Sequence, residues 1–293
     1  MNKSPVAVIG LGLMGEVYAR RLIDADFPVT GFDIDPARRA RLAEIGGRPV
    51  QSIAELARPA RCVIIAVFST DQVEDVIENH LLPALGDGSG KIVLCMSTCD
   101  PDRVAALARR ITPRGIRYLD VPVSGTSDQV RRGDGVALIG GDSTIADEVK
   151  DVLDALFARR FHIGNVGDGG RAKLAVNLIL GLNRLALAEG LVFAERLGLD
   201  PAAFLDVARG SASYSQVMET KGPKMVQGDF SPEGRVRQTL KDARLMLDQA
   251  AAAGLKLSML EVHAEVLEAC VRAGEADLDN SAVIREVRRR GKN

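Results

Sequence analysis

The sequence predicts an α/β domain built on a doubly wound, mostly parallel sheet, followed by an all-helical C-terminal domain. Three observations carry that expectation. Short apolar runs alternate with helical stretches over the first half, a glycine-rich turn follows the first run directly, and strand-like runs disappear beyond residue 164. Strands of a parallel sheet are covered on both faces, so they read as nearly continuous apolar segments rather than alternating ones.

Val6–Ile9 is the first such run, residues 16–25 carry helical spacing, and Val29–Phe32 is the second run, with a charged helix over 36–45. Residues 62–67, 92–96, 118–121 and 136–139 supply further strands, with helices over 72–79 and 102–110 between them. From Arg171 onward only helical periodicity remains, broken near 198–201, at Gly222-Pro223, at Gly254 and at Gly274. Residues 240–253 are alanine-rich and form helix readily. The boundary falls near residue 164, dividing the chain into 1–164 and 165–293.

Composition narrows the class of protein. Hydrophobic residues make up 46% and charged residues 26%, enough apolar material for a packed core. The formal net charge is -1, so no global field draws the chain to nucleic acid or to a membrane. Arg288, Arg289 and Arg290 read as a short solvated tail. The apolar run from Val6 is too short and too glycine-rich for a signal-peptide core. Residues 174–193 are apolar but contain Asn177, Asn183, Arg184 and Glu189, and read as a buried helix of a soluble protein. The four cysteines form no C-x-x-C pair and no metal-ligand spacing with the three histidines. Reduced core thiols and a cytoplasmic location are the expectation, with no metal.

The segment Gly10-Leu11-Gly12-Leu13-Met14-Gly15 leaves a strand and opens a helix, the context in which G-x-G-x-x-G binds a dinucleotide. Gly10 permits the turn, Gly12 lets the backbone approach a pyrophosphate, and Gly15 lets helix and sheet pack closely. The helix N–H groups then face the phosphates. The first domain is therefore a Rossmann-like dinucleotide-binding domain. Asp33, ending the second strand, can accept from the adenosine ribose hydroxyls and repels a 2′-phosphate, which favours NAD over NADP. Asp35 competes with it as the cap of the next helix, and Arg38 and Arg39 work against the NAD preference.

Glycines at 164, 167, 169 and 170 lead into Arg171-Ala172-Lys173-Leu174-Ala175-Val176-Asn177. Lys173 and Asn177 share one helical face. A lysine in such apolar company either snorkels at an edge or serves as an acid–base group, since desolvation brings an amine toward neutrality. The residues alone leave both open.

Four segments resemble the β-hydroxyacid dehydrogenase family, which includes 3-hydroxyisobutyrate dehydrogenase. They are residues 10–15, Asp120-Val121-Pro122-Val123-Ser124-Gly125, residues 169–177 and Lys241-Asp242, in the family's order and spacing. The resemblance implies that Lys173 exchanges a proton with the substrate hydroxyl while hydride moves to or from nicotinamide. It implies that Asn177 holds the substrate and that Ser124 and Gly125 form the cradle for its carboxylate, with Thr126, the next residue, as a further substrate-binding candidate. It places Thr98 beside the nicotinamide and has Lys241 reach toward cofactor and substrate. The implied reaction joins a small 3-hydroxy acid and its aldehyde or keto form, in a homodimer or homotetramer.

Departures concern the substrate. Residues 126–130 replace a glycine-rich loop of the family with a bulkier, more polar one. Cys95 stands where an acid is common, and Arg235 where an aromatic is common. Val176 and Leu180 occupy the places of the His and the acid of decarboxylating 6-phosphogluconate dehydrogenases, so oxidation without decarboxylation is expected. Imine reductases generally replace the lysine, and UDP-sugar dehydrogenases use a cysteine in a context lacking here. A dinucleotide-binding sensor without turnover is the alternative from a different class, and an imine reductase-like enzyme the alternative within the fold.

Overall fold

A computed structural model describes residues 3–291. Contacts divide the chain into two units, Met1–Lys173 and Leu174–Asn293. The first unit is built on nine strands: β1 (Val6–Ile9), β2 (Val29–Phe32), β3 (Arg48–Pro49), β4 (Cys62–Ile65), β5 (Ile92–Cys95), β6 (Arg117–Asp120), β7 (Val123–Ser124), β8 (Val136–Gly140) and β9 (Arg159–Gly164). Their order is β3-β2-β1-β4-β5-β6-β8-β7, with β9 beside β8. The six strands β1 to β6 pair in parallel, while β8 runs antiparallel to β6 and β7.

Side chains alternate across this sheet and fill two cores. Val6, Val8, Ile64 and Leu94 face one core, shared with Val17, Tyr18 and Leu22 of the helix Leu13–Asp24. Ala7, Ile9, Ile65 and Val93 face the other, shared with Val104, Leu107 and Ile111 of the helix Pro101–Ile111. Burial on both faces is why β1, β4 and β5 consist of apolar residues throughout. The strand order reverses between β1 and β4, which opens a crevice at their carboxyl ends, the place where such sheets bind ligands.

Three strands lie outside the sequence expectation. β3 and β7 have two residues each, and β9 exposes Phe161 and Ile163 beside polar neighbours, so none carries an apolar run. The glycine-rich segment after Gly164 is shorter than it reads. Helix begins at Asp168 and runs to Arg196, so Gly169 and Gly170 are helical.

The second unit is helical among its described residues, apart from one isolated bridge between Arg235 and Asp279. Besides the long helix it contains Pro201–Arg209, capped by Asp200, then Val236–Ala252, Ser258–Arg272 and Val283–Arg290. Gly254 and Gly274, both with positive φ, follow two of these helices within two residues of their ends. The core contains Leu185, Leu191, Met246, Leu267 and Ile284. By length and composition the long helix could cross a membrane. The expectation of a buried helix holds on one face, whereas Ile179 and Phe193 are exposed. The terminal arginines are not a solvated tail. They end a helix, with Arg288 bonded to Glu195 (3.0 Å), Arg289 to Glu275 (2.8 Å) and Arg290 to Glu286 (3.0 Å).

Candidate active site

The glycine loop lies at the carboxyl end of β1, and its three glycines differ in what they answer to. Gly10 has φ +88°, and a Cβ there would lie 2.4 Å from the Ala66 carbonyl oxygen. A Cβ on Gly15 would lie 1.8 Å from the Gly10 carbonyl oxygen, because the helix starts hard against the strand. Gly12 has no such neighbour: its Cβ would meet only the Arg38 guanidinium, at 3.7 Å. As N-cap of the helix, Gly12 supplies no side-chain acceptor, which leaves the first-turn N–H groups without a capping partner. An anion fits that arrangement, and a pyrophosphate approaching over Gly12 meets no Cβ.

Asp33 is buried at the end of β2 and ties the loop to the sheet. Its Oδ2 accepts from Leu11 N (2.7 Å) and from Arg38 Nη1 (3.2 Å), and its Oδ1 from Asp35 N (2.9 Å). A carboxylate offers about four lone-pair sites, so one remains on Oδ1 for a hydroxyl donor. The capping role belongs to Asp35, whose Oδ1 accepts from Ala37 N at 2.8 Å.

The next strand ends carry the other residues. Ser97 Oγ accepts from Val67 N (2.9 Å) and donates to Val67 O (2.8 Å), locking the end of β5 to that of β4, and Thr98 is half-buried beside it. Cys95 and Cys99 are both buried and share a sulfur hydrogen bond, which holds the Cys95 thiol below its usual range against the opposing effect of burial. Ser124 ends β7, and Gly125 takes φ +137°, a conformation that favours glycine. The expected loop at 126–130 is instead the start of a short helix, Ser127–Arg131. Thr126 caps it reciprocally: Gln129 N donates to Thr126 Oγ1 (3.2 Å), and Thr126 N to Gln129 Oε1 (2.9 Å). The polarity read at these positions is thus partly consumed by the fold.

Lys173 is only 7% exposed, in the second turn of the helix Asp168–Arg196. Asn177 follows one turn later on the same helix and is half-buried. Its Nδ2 donates to Asp242 Oδ2 at 3.0 Å, and Asp242 Oδ1 pairs with Lys241 Nζ at 3.0 Å. The sequence gives Lys241-Asp242 as a motif, but the bond from Asp242 to Asn177, across 65 positions, is visible only in the fold. At the N-terminal end of the same helix, one turn before Lys173, Asp120 accepts from Gly167 N (3.0 Å) and Gly170 N (2.8 Å). A cavity of about 10 Å³, lined among others by Cys95, Ser97, Cys99, Asp120 and Gly170, sits beside it. Among the described residues no group of three or more His, Cys, Asp or Glu converges as a metal site.

Sequence comparison bears on what this arrangement does. Residues 5–164 match the model of the NAD binding domain of 6-phosphogluconate dehydrogenase, and residues 167–287 that of the NAD-binding region of NADP-dependent 3-hydroxyisobutyrate dehydrogenase. The chain is 32% identical over 281 residues to L-threonate dehydrogenase of Cupriavidus necator, covering 96% of this chain and 95% of that one. It is 30% identical over 276 residues to 2-hydroxy-3-oxopropionate reductase of Escherichia coli, with 94% of each covered. The crystal structure of 3-hydroxyisobutyrate dehydrogenase from Salmonella typhimurium superposes with a TM-score of 0.88 at 28% identity, over 97% of this chain and 99% of the other.

Proposed function

The chain belongs to the β-hydroxyacid dehydrogenase family and is an NAD(P)-dependent oxidoreductase acting on the CH–OH group of small hydroxyacids; from that premise we propose that NAD is its cofactor and Lys173 its acid–base group. The observation that carries the reading is the buried Lys173 one turn before Asn177, with Asn177 held by Asp242. In support of NAD, Asp33 keeps one acceptor site on Oδ1 for an adenosine ribose hydroxyl beside the bonds it takes from Leu11, Asp35 and Arg38. Arg38 beside it is the feature that would serve a 2′-phosphate. When bound, the nicotinamide supplies the hydride acceptor for oxidation or the donor for reduction.

The chain's own residues supply the rest. The residues 10–15 hold the pyrophosphate and Thr98 flanks the nicotinamide side. Ser124 and Gly125 bind the substrate carboxylate through backbone N–H and hydroxyl groups, and Thr126, whose N–H is taken by Gln129, adds its hydroxyl proton. Asn177 orients the substrate hydroxyl. Lys173 Nζ accepts that hydroxyl's proton in oxidation and returns it in reduction. Lys241 steadies the cofactor end, on a side chain already held by Asp242. Two relatives are named for polar acids, threonate and 2-hydroxy-3-oxopropionate. These names favour a small hydroxylated acid or its aldehyde as substrate, over a simple branched one. The exposed Ile179, Phe193, Leu197 and Val207 of the helical unit suit a homodimer or homotetramer, and four buried free cysteines suit the cytoplasm.

The test is turnover of a panel of small hydroxyacids and aldehydes, followed by NAD(P)H absorbance. Lys173→Ala is expected to lose about 10²- to 10⁴-fold in kcat while keeping NAD affinity. Oxidation by the unaltered enzyme should rise with pH through one ionisation. Wild-type turnover in Lys173→Ala refutes the assignment, and cofactor binding without turnover across the panel would favour a sensor.

A further inference from the structure

We propose that Asp120 is a positioning residue of this enzyme: its carboxylate fixes the first turn of the helix that carries Lys173. The inference rests on the reading of Lys173 as the acid–base group.

Asp120 is 4% exposed at the end of β6, and among the described residues its carboxylate forms no ion pair, meeting backbone N–H groups instead. Burial pushes its pKa up, the Gly167 and Gly170 N–H groups pull it back, and Asp168 adds to the rise. An unpaired buried acid is costly to a fold, so its retention calls for compensation. The compensation here is the helix itself. Oδ2 takes the Gly170 N–H, one of the four that the first turn leaves without intrahelical partners, and the positive end of the helix dipole meets the carboxylate. Oδ1 takes the N–H of Gly167, which has φ +101° in the turn leading into the helix.

Neighbouring glycines are cut to this carboxylate. A Cβ on Gly140 would stand 2.2 Å from Oδ1, and one on Gly169 2.8 Å from Oδ2. Gly170 and Lys173 are three residues apart, about 4.5 Å along the helix axis, so a fixed first turn fixes the lysine's backbone. Asp120 also leads through Val121 and Pro122 into Val123 and Ser124, the strand before the carboxylate cradle. One side chain thus couples the height and rotation of the proton-exchanging helix to the segment that seats the substrate. Displacements on the order of 1 Å between such groups cost about 10²-fold in rate.

The experiment compares the full-length enzyme with Asp120→Asn and Asp120→Ser, each alone and with Lys173→Ala. Asparagine keeps the shape but turns one acceptor into a donor facing an N–H, while serine keeps one acceptor and removes the buried charge. Either folded variant should lose about 30-fold or more in kcat, with KM for substrate and NAD affinity changed less than about threefold. In the Lys173→Ala background the same substitution should change the residual rate by less than about twofold. A kcat within about threefold of wild type in a folded variant overturns the proposal, as does an equal loss in both backgrounds, which marks a general structural role. If Lys173→Ala loses turnover while Asp120→Asn does not, this inference falls and the Lys173 assignment stands. Wild-type turnover in Lys173→Ala overturns both.

Discussion

Acid should loosen the helical unit through His263. The imidazole lies in the helix Ser258–Arg272, 2% exposed, in space left open by Gly181 of the long helix: a Cβ on Gly181 would come within 2.6 Å of its Cε1. Nε2 has no hydrogen-bond partner, nor have Nε and Nη1 of the buried Arg184. Burial, and secondarily the positive charge of Arg184, lowers the His263 pKa from 6.5 to about 4. The folded state therefore binds fewer protons than the unfolded chain between those values. Its stabilising share is complete above pH 6.5 and is lost as pH falls toward 4. A shift of two to three units at about 1.4 kcal/mol each gives about 3 kcal/mol in full, and about 2 kcal/mol by pH 5. On a unit of this size that lowers Tm by roughly 5–10 °C.

Thermal or urea unfolding at pH 8 and pH 5, for wild type and His263→Leu, measures the effect. The variant should lose about 2 kcal/mol less than wild type over that interval. Equal losses, or an imidazole titrating near 6.5 by NMR in the folded protein, would refute the reasoning. The outcome also governs how activity profiles are read. Asn177, Asp242 and Lys241 lie in this unit, so a rate lost below pH 6 through unfolding must be separated from a rate lost through protonation of Lys173.

Two further substitutions address cofactor and substrate. Asp33→Asn should weaken NAD by about tenfold and narrow its advantage over NADP, since a charge-assisted acceptor for ribose and Leu11 N is gone; isothermal titration with both cofactors checks this, and an unchanged ratio counts against Asp33 as the discriminator. Asp242→Ala removes the acceptor of Asn177 Nδ2 and the ion-pair partner of Lys241 Nζ, and should raise substrate KM by about tenfold at modest loss of kcat; an unchanged KM would show that Asn177 needs no such tether.

Much of the fold could be read from the chain because its central strands are buried on both faces. β1 and β2 fall at the residues expected, and β4, β5, β6 and β8 within two residues of them. β3, β7 and β9 could not be read this way: two are too short to show a period, and the third exposes its apolar residues at an edge. The site divides similarly. Residues bound to a local pattern, such as Gly10 to Gly15 or Lys173 with Asn177, are visible in sequence. Asp120 and Asp242 matter through partners about 50 and 65 positions away, and no periodicity announces such pairs. At 126–130 the polar residues suggest substrate contacts, yet a threonine and a glutamine three apart also spell a capping box, and that is how the fold uses Thr126 and Gln129.

The glycine loop allows cofactor binding to be separated from folding with two single-methyl substitutions. Gly15→Ala drives a Cβ to 1.8 Å from the Gly10 carbonyl oxygen, a backbone atom that cannot step aside without moving β1 or the helix. Overpacking of this kind costs about 1–3 kcal/mol or more, so the variant should lose stability whether or not cofactor is present. Gly12→Ala meets nothing nearer than the Arg38 guanidinium, at an ordinary contact distance of 3.7 Å, and φ at Gly12 is −70°, open to any residue. Its Tm without cofactor should stay within about 2 °C of wild type. The methyl then projects where the pyrophosphate must approach, so NAD affinity should fall by about tenfold or more. Were Gly12 retained for the protein's own packing, Gly12→Ala would lower Tm and spare affinity. That outcome would leave the loop as an ordinary strand-to-helix turn, and the cofactor would have to be held elsewhere.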